Sequence, residues 1–118
     1  MSCVSEAYDY YQQGMSHLRS GMPAQATVAL EKAKRLEPEK SSIREALGIA
    51  YFRIGRWAAA ELEFRKLLEL SPADDYAHYA LGRTLRKQGR VDEARPFLKL
   101  ARSLRPRKEA DLDAAGES

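Results

Sequence analysis

The chain has 118 residues, of which 44% are hydrophobic and 31% charged, and its formal net charge is +3 at pH 7. This length and composition fit one globular domain with a modest core, and no apolar run approaches the roughly 18 residues of a transmembrane helix. The single cysteine, Cys3, excludes an internal disulfide, and the N-terminus lacks the basic and apolar stretches of a secretion signal. We therefore expect a cytoplasmic protein without a membrane partner.

A period of 34 residues organises the chain, and residues 34 positions apart are called a column below. Three columns each hold one small or ring-constrained residue type: Gly14, Gly48 and Gly82; Ala26, Ala60 and Ala94; Pro38, Pro72 and Pro106. A period of this length indicates a stack of similar units, none of which can bury its apolar face alone. We expect a repeat domain over residues 1–108, with repeats at about 7–40, 41–74 and 75–108, followed by a disordered or short helical segment at 109–118.

Each repeat reads as a helix, a tight turn, a second helix and a short turn. In the second repeat, apolar residues at helical spacing predict a first helix from about Ser42 to Ile54, and Ser42 with Glu45 predicts a capping box. Gly55 would end this helix in a left-handed conformation, and Ser71-Pro72 would end the next one. Gly21 and Gly89 occupy the same turn column as Gly55.

Glycine inside a helix costs about 1 kcal/mol relative to alanine, so the column of Gly48 needs a packing reason. The sequence predicts that these glycines remove a side chain where two helices touch. A large apolar column follows in the second helix, formed by Leu30, Phe64 and Leu98.

These columns resemble the tetratricopeptide repeat family, whose pattern places a glycine and an aromatic residue in the first helix and Ala, a large apolar residue, Ala and then Pro in the second. The match covers three repeats, although the aromatic column holds His17, Tyr51 and Leu85, and Gln13 stands where later repeats have leucine. The resemblance implies an all-α, right-handed superhelix (an α-solenoid) of three antiparallel helix-turn-helix units. It also implies a concave groove, lined by the first helices, that binds a peptide of another protein without performing chemistry.

In this family the groove-facing columns of the first helix differ from the packing columns. Carried onto this chain, the resemblance implies a groove with aromatic and apolar pockets and a basic rim. The predicted groove residues are Tyr8, Tyr11, Met15, Leu18, Arg19, Ile49, Phe52, Arg53, Tyr76, Tyr79, Arg83, Arg86 and Lys87, with Ser42 and Glu45 in the same rows. A basic rim would orient an acidic peptide or a C-terminal carboxylate. Arg19, Arg53 and Lys87 could equally be solvated cations that complement helix dipoles, and the tyrosines could pack between repeats.

The carboxylate clamp of co-chaperone relatives requires Lys and Asn in the first repeat, Asn in the second, and Lys and Arg in the third. The corresponding positions here hold Tyr11, Met15, Ala46, Tyr76 and Ala80. We therefore expect no binding of chaperone C-terminal tails by that route.

Other functional classes have weaker support. His17 and His78 fall in different columns, no metal-ligand spacing or phosphate loop is present, and Asp74-Asp75 fits helix capping, so we expect no enzyme activity, cofactor or metal. Residues 75–108 carry ten Lys/Arg against three acids, which leaves nucleic-acid binding as a minor alternative. Self-assembly is a second alternative, if the last repeat leaves Leu98, Leu100, Ala101 and Leu104 partly uncovered. The acidic segment 109–118 could also fold back on the basic repeat.

Overall fold

The computed structural model describes residues 3–104, with side chains described from residue 5 onward, and this range forms six helices without a strand. The helices are α1 (Cys3–Arg19), α2 (Pro23–Leu36), α3 (Ser41–Arg53), α4 (Trp57–Leu70), α5 (Asp75–Lys87) and α6 (Val91–Leu104). Each helix packs mainly against its neighbours in sequence, which gives a solenoid of three helix pairs, as predicted. The third repeat's predicted end, 105–108, and the segment 109–118 lie outside the described residues.

The turn within each helix pair depends on a glycine in the left-handed region. Gly21, Gly55 and Gly89 have φ values of 73°, 79° and 80°, which confirms the prediction for this column. The amide after each glycine donates to the carbonyl oxygen five residues earlier, with N···O distances of 2.8, 3.0 and 3.0 Å. This bond satisfies a carbonyl at the end of the first helix and fixes the direction of the second.

The helical glycines lie where the two helices of a pair meet, as the sequence predicts. A Cβ atom built on Gly48 would lie 2.5 Å from Cε1 of Phe64, and one on Gly82 would lie 2.6 Å from Cδ2 of Leu98. Gly14 makes the corresponding close approach to Leu30. The glycine column therefore lets each first helix approach the large apolar residue of its partner helix, and Leu30 and Phe64 are fully buried as a result.

The predicted helix caps are confirmed in one case and wrong in another. Asp74 caps α5, because its carboxylate accepts hydrogen bonds from the amides of Tyr76 and Ala77. Helix α3 instead begins at Ser41 after Lys40, without a side-chain cap, so the predicted capping box of Ser42 is wrong. The side chain of Ser42 hydrogen-bonds across to Tyr11 in α1.

A polar junction of Glu31, Lys34, Arg44, Tyr51 and Glu63 joins the first two repeats. The Glu63 side chain is 6% exposed and accepts from Lys34 at 3.0 Å and from Arg44 at 2.9 Å. On α2, Lys34 also pairs with Glu31, whose Oε2 accepts the Tyr51 hydroxyl at 2.5 Å. Because Lys34 lies on α2, Arg44 on α3 and Glu63 on α4, this buried carboxylate links the three helices.

The contribution of Tyr51 to the stability of this junction is lost at alkaline pH. Burial, the hydrogen bond to Glu31 and the charge of that carboxylate together raise the pKa of Tyr51 to about 12 from its ordinary value of 10.0. The folded state therefore holds the phenolic proton above the pH at which the unfolded chain loses it, so its contribution to stability is full below pH 10 and is lost as the pH rises toward 12. We expect the free energy of unfolding, measured with urea between about pH 9 and 12, to fall more steeply for the wild type than for Tyr51→Phe. Parallel curves would show that the tyrosine proton is not linked to folding.

Candidate peptide-binding groove

Two adjoining cavities lie along α1 and α3. The larger has a volume of about 220 Å³ and is lined by Ala7, Tyr8, Tyr11, Glu37, Lys40, Ser42 and Ile43. The smaller, of about 110 Å³, is lined by Tyr11, Met15, Leu18, Ser42, Glu45, Ala46 and Ile49. Because Tyr11 and Ser42 line both, the cavities form one continuous depression, which we call the groove.

Tyr11 lies at the boundary of the two cavities. Burial and the neighbouring charge of Glu45 raise its pKa and outweigh the opposing effect of the hydrogen bond with Ser42. An unperturbed phenol is already protonated at neutral pH, so the raised pKa only extends this range toward alkaline pH. Tyr11 keeps a hydroxyl donor where the two cavities meet. Such a group offers both contact area and a hydrogen bond to a bound chain.

Beyond the cavities, α5 places cations over aromatic rings. The Arg83 guanidinium lies 5.8 Å from the ring centre of Phe52, and its Nη1 donates to the Tyr79 hydroxyl at 2.8 Å. Nζ of Lys87 lies 5.6 Å from the ring centre of Trp57. These contacts hold two positive charges of the third repeat at defined positions against the second.

Most of the predicted groove residues have side chains that reach the surface. Tyr8, Arg19, Arg86 and Lys87 are exposed, and Tyr11, Met15, Ile49, Arg53, Tyr79 and Arg83 are half-buried. Tyr8 is the most exposed aromatic residue of the set, at 60%. The predicted set is thus mainly aromatic and apolar on α1 and α3, and on α5 it includes the cations Arg83, Arg86 and Lys87.

Three of the predicted contact residues are buried, and the expectation of surface contact is wrong for two of them. Phe52 and Tyr76 are each 2% exposed and belong to the main core, so neither offers side-chain surface to a bound peptide. Leu18 is 7% exposed, but it still lines the floor of the smaller cavity. The reason is stacking: Phe52 lies beneath Arg83 of the next repeat and against Trp57, and Tyr76 packs against Tyr79.

Four residues that line the larger cavity are absent from the sequence prediction, namely Ala7, Glu37, Lys40 and Ile43. Glu37 and Lys40 come from the turn between α2 and α3, whereas the family pattern assigns the groove to first helices. The sequence would have indicated these two oppositely charged residues only if the turn between the repeats had been counted as part of the groove.

The described residues contain little that suggests another kind of site. His78 is 8% exposed, its Nε2 lies 2.9 Å from the carbonyl oxygen of Pro72, and its ring stacks on Phe97, so it is a packed residue of the core. His17 is half-buried. No group of three or more His, Cys, Asp or Glu side chains within this range could hold a metal ion. None of the described helices is long and apolar enough to cross a membrane.

The family model for the tetratricopeptide repeat matches residues 11–75 and again residues 46–109. The chain therefore belongs to the tetratricopeptide repeat family, a fold that supports protein–protein interaction modules. Among curated proteins it is 32% identical over 93 residues to mouse (Mus musculus) Superkiller complex protein 3 and 26% identical over 88 residues to mouse aspartyl/asparaginyl beta-hydroxylase. These matches cover 79% and 75% of this chain but only 6% and 11% of the relatives.

Solved structures share the fold. A mutant of MamA superposes with a TM-score of 0.81 at 26% identity, covering 86% of this chain and 74% of that one. The first tetratricopeptide domain of Spaghetti (RPAP3), which was solved bound to an HSP90 peptide, superposes with a TM-score of 0.82 at 18% identity, covering 95% and 91%. At 18% identity the second likeness concerns the fold alone.

Proposed function

We propose that this chain is a non-enzymatic interaction module that binds a peptide segment of a partner protein in the groove. The observation that carries the proposal is the juxtaposition of an apolar double cavity on α1 and α3 with the fixed cations of α5. A peptide running across the three first helices would meet apolar pockets at one end and positive charge at the other. No cofactor or metal takes part in this function.

The apolar end supplies most of the binding energy in this proposal. Tyr8 and Tyr11 present rigid aromatic surface beside Met15 and Ile49, and tyrosine is among the residue types enriched at binding hot spots. A peptide side chain of aliphatic or aromatic type is the natural ligand of these cavities, because burial of apolar area is the main favourable contribution there.

The basic end selects for an acidic flank. Arg86 and Lys87 are exposed in the last turn of α5, and Arg83 lies one turn earlier. Acidic side chains or a C-terminal carboxylate at this end would speed association and fix the direction of the peptide. The HSP90 peptide of the RPAP3 complex shows what this fold can hold, but the clamp positions of this chain carry Tyr11, Met15, Ala46, Tyr76 and Ala80. We therefore expect the ligand of this chain to bind through an apolar anchor side chain rather than through a carboxylate clamp.

The test begins with peptides selected on the wild-type protein from a displayed random library, with affinities then measured by fluorescence anisotropy. We expect Tyr8→Ala to weaken binding by about tenfold, equivalent to about 1.4 kcal/mol, because it removes aromatic surface at the larger cavity. Tyr8 is 60% exposed in the free protein, so this change should leave the fold intact.

Two control variants, Leu62→Ala and Arg35→Glu, show whether an effect on binding is specific to the groove and its cations. Leu62→Ala removes an apolar side chain that is 70% exposed on α4, and it should not affect binding. Arg86→Glu with Lys87→Glu should weaken acidic peptides by a few-fold, whereas Arg35→Glu on α2 should not. If Tyr8→Ala and Leu62→Ala bound the selected peptides equally well, the groove would not be the binding site. If only the charge reversals had no effect, the cations would be solvated ends of α5.

A further inference from the structure

The outer face of α6 is open in a way that the matching face of α4 is not. On α4 the stripe of Trp57, Glu61, Phe64 and Leu68 is covered. Glu61 Oε1 accepts from Gln88 and Arg90 of the third repeat at 2.9 and 2.8 Å, Lys87 lies over the Trp57 ring, and Phe64 is fully buried. The same columns on α6 hold Val91, Arg95, Leu98 and Arg102, which we call the end stripe. Among residues 3–104 no element lies beyond it.

Exposure along the end stripe differs from that along α4. Val91 is 52% exposed, and Leu98 is half-buried although Leu30 and Phe64 in its column are completely buried. The sequence predicted that four residues of the last repeat would be partly uncovered. This is confirmed for Leu98, Leu100 and Leu104 and wrong for Ala101, which is buried. Apolar surface therefore remains at this end of the solenoid.

The charge of the end stripe is one-sided. Arg95 and Arg102 occupy the columns of Glu61 and Leu68, and both are exposed. The ion pair of Arg95 with Asp92 is 3.3 Å long between side chains that are 70% and 94% exposed, so it contributes little. The opposite end of the solenoid is different, since α1 presents Gln13 and Ser16, exposed and uncharged, where α3 and α5 have buried residues.

We propose that the end stripe is the docking surface for the chain's own acidic segment, residues 109–118. This segment carries Glu109, Asp111, Asp113 and Glu117 without any Lys or Arg, and Leu112 lies between two of its carboxylates. An apolar residue flanked by acids complements Leu98, which is flanked on α6 by arginines at positions 95 and 102. This surface lies outside the groove, so the proposal is independent of the peptide-binding function.

The geometry permits this contact. Glu109 lies five positions after Leu104, a span of up to about 17 Å when extended. Leu98 lies about 9 Å and Arg95 about 14 Å back from Leu104 along the axis of α6. The acidic segment can therefore reach the whole end stripe, and any acidic partner of that stripe would compete with it.

The test uses paramagnetic relaxation in the full chain, with Cys3→Ser and a nitroxide on Ala115→Cys. Amide signals of Val91 and Arg95 are compared between the native segment and a neutral one of equal length (Glu109→Gln, Asp111→Asn, Asp113→Asn, Glu117→Gln). We expect roughly threefold stronger relaxation with the acidic segment, since surface charge pairs are formed. The difference should vanish in about 1 M NaCl and in Arg95→Glu/Arg102→Glu, but persist in the exposed control Arg35→Glu.

Two outcomes would overturn the proposal. Equal relaxation with the acidic and neutral segments would show that charge does not draw the segment to α6. Relaxation of an isotope-labelled chain by a separate nitroxide-labelled chain, rising with protein concentration, would assign the end stripe to a second copy. All substituted side chains of α6 are exposed, and circular dichroism of each variant verifies that the fold is unchanged.

Discussion

Gly48→Ala is expected to destabilise the protein by about 2 kcal/mol, although the same change in an open helix would stabilise it by about 1 kcal/mol. The new Cβ would lie 2.5 to 2.8 Å from three atoms of the Phe64 ring, which is fully buried and cannot retreat. Overpacking of this kind costs about 3 kcal/mol at its upper range, and this exceeds the gain in helix propensity. Gly48→Leu should cost more. Urea denaturation followed by circular dichroism measures both.

A double-mutant cycle shows whether the ring is the cause. In a Phe64→Ala background the clash is absent, so Gly48→Ala should become stabilising by about 1 kcal/mol, a reversal of sign. Should Phe64→Ala prove too unstable to measure, Gly14 and Leu30 provide the same pair in the first repeat, where Leu30 is fully buried. A Gly48→Ala effect of equal sign in both backgrounds would mean that the glycine serves backbone geometry rather than helix approach.

The sequence predicted those features that repeat with the 34-residue period. Gly21, Gly55 and Gly89 each needed a positive φ, and Gly48 needed an explanation for its cost in a helix; the structure supplies both. These predictions succeeded because the turn glycines and the helical glycines meet equivalent neighbours within their own helix pair in every repeat. The solenoid follows from the period for the same reason.

The period could not predict how exposure changes along a column. Tyr8 and Tyr76 share one column, yet Tyr8 is 60% exposed and Tyr76 is 2% exposed, because α5 has a preceding repeat beside it and, among the described helices, α1 has none. Ser42 likewise offered a local cap, but its hydroxyl is engaged with Tyr11 of another helix. Burial and hydrogen bonding at such positions depend on tertiary neighbours, which one repeat read alone does not contain.

The junction between the first two repeats and the junction between the last two use different chemistry at equivalent positions, so the role of the polar junction can be tested by exchanging residues. Glu63 bonds Lys34 and Arg44, and Arg44 also donates to the carbonyl oxygen of Pro38 at 3.0 Å. One repeat later the same columns hold Leu68, His78 and Phe97: the His78 ring stacks on Phe97, and its Nε2 bonds the carbonyl oxygen of Pro72. An ion-pair junction and an apolar junction therefore occupy equivalent places.

Glu63→Ala is expected to lower the free energy of unfolding by about 3 kcal/mol, because it leaves the Lys34 and Arg44 charges partly buried without their carboxylate. The triple variant Lys34→Leu/Arg44→His/Glu63→Phe installs the junction of the following repeat, and it should fall within about 1 kcal/mol of the wild type, since well-packed apolar residues can replace a buried ion pair. Glu63→Phe alone is the matched control and should remain destabilised, as it removes the carboxylate but keeps both cations. Urea denaturation of the four proteins gives the comparison.

If the triple variant were as unstable as Glu63→Ala, the ion pairs themselves would specify how the first two repeats stack. A loss below about 1 kcal/mol for Glu63→Ala would instead mean that solvent screens this junction as it does an exposed pair.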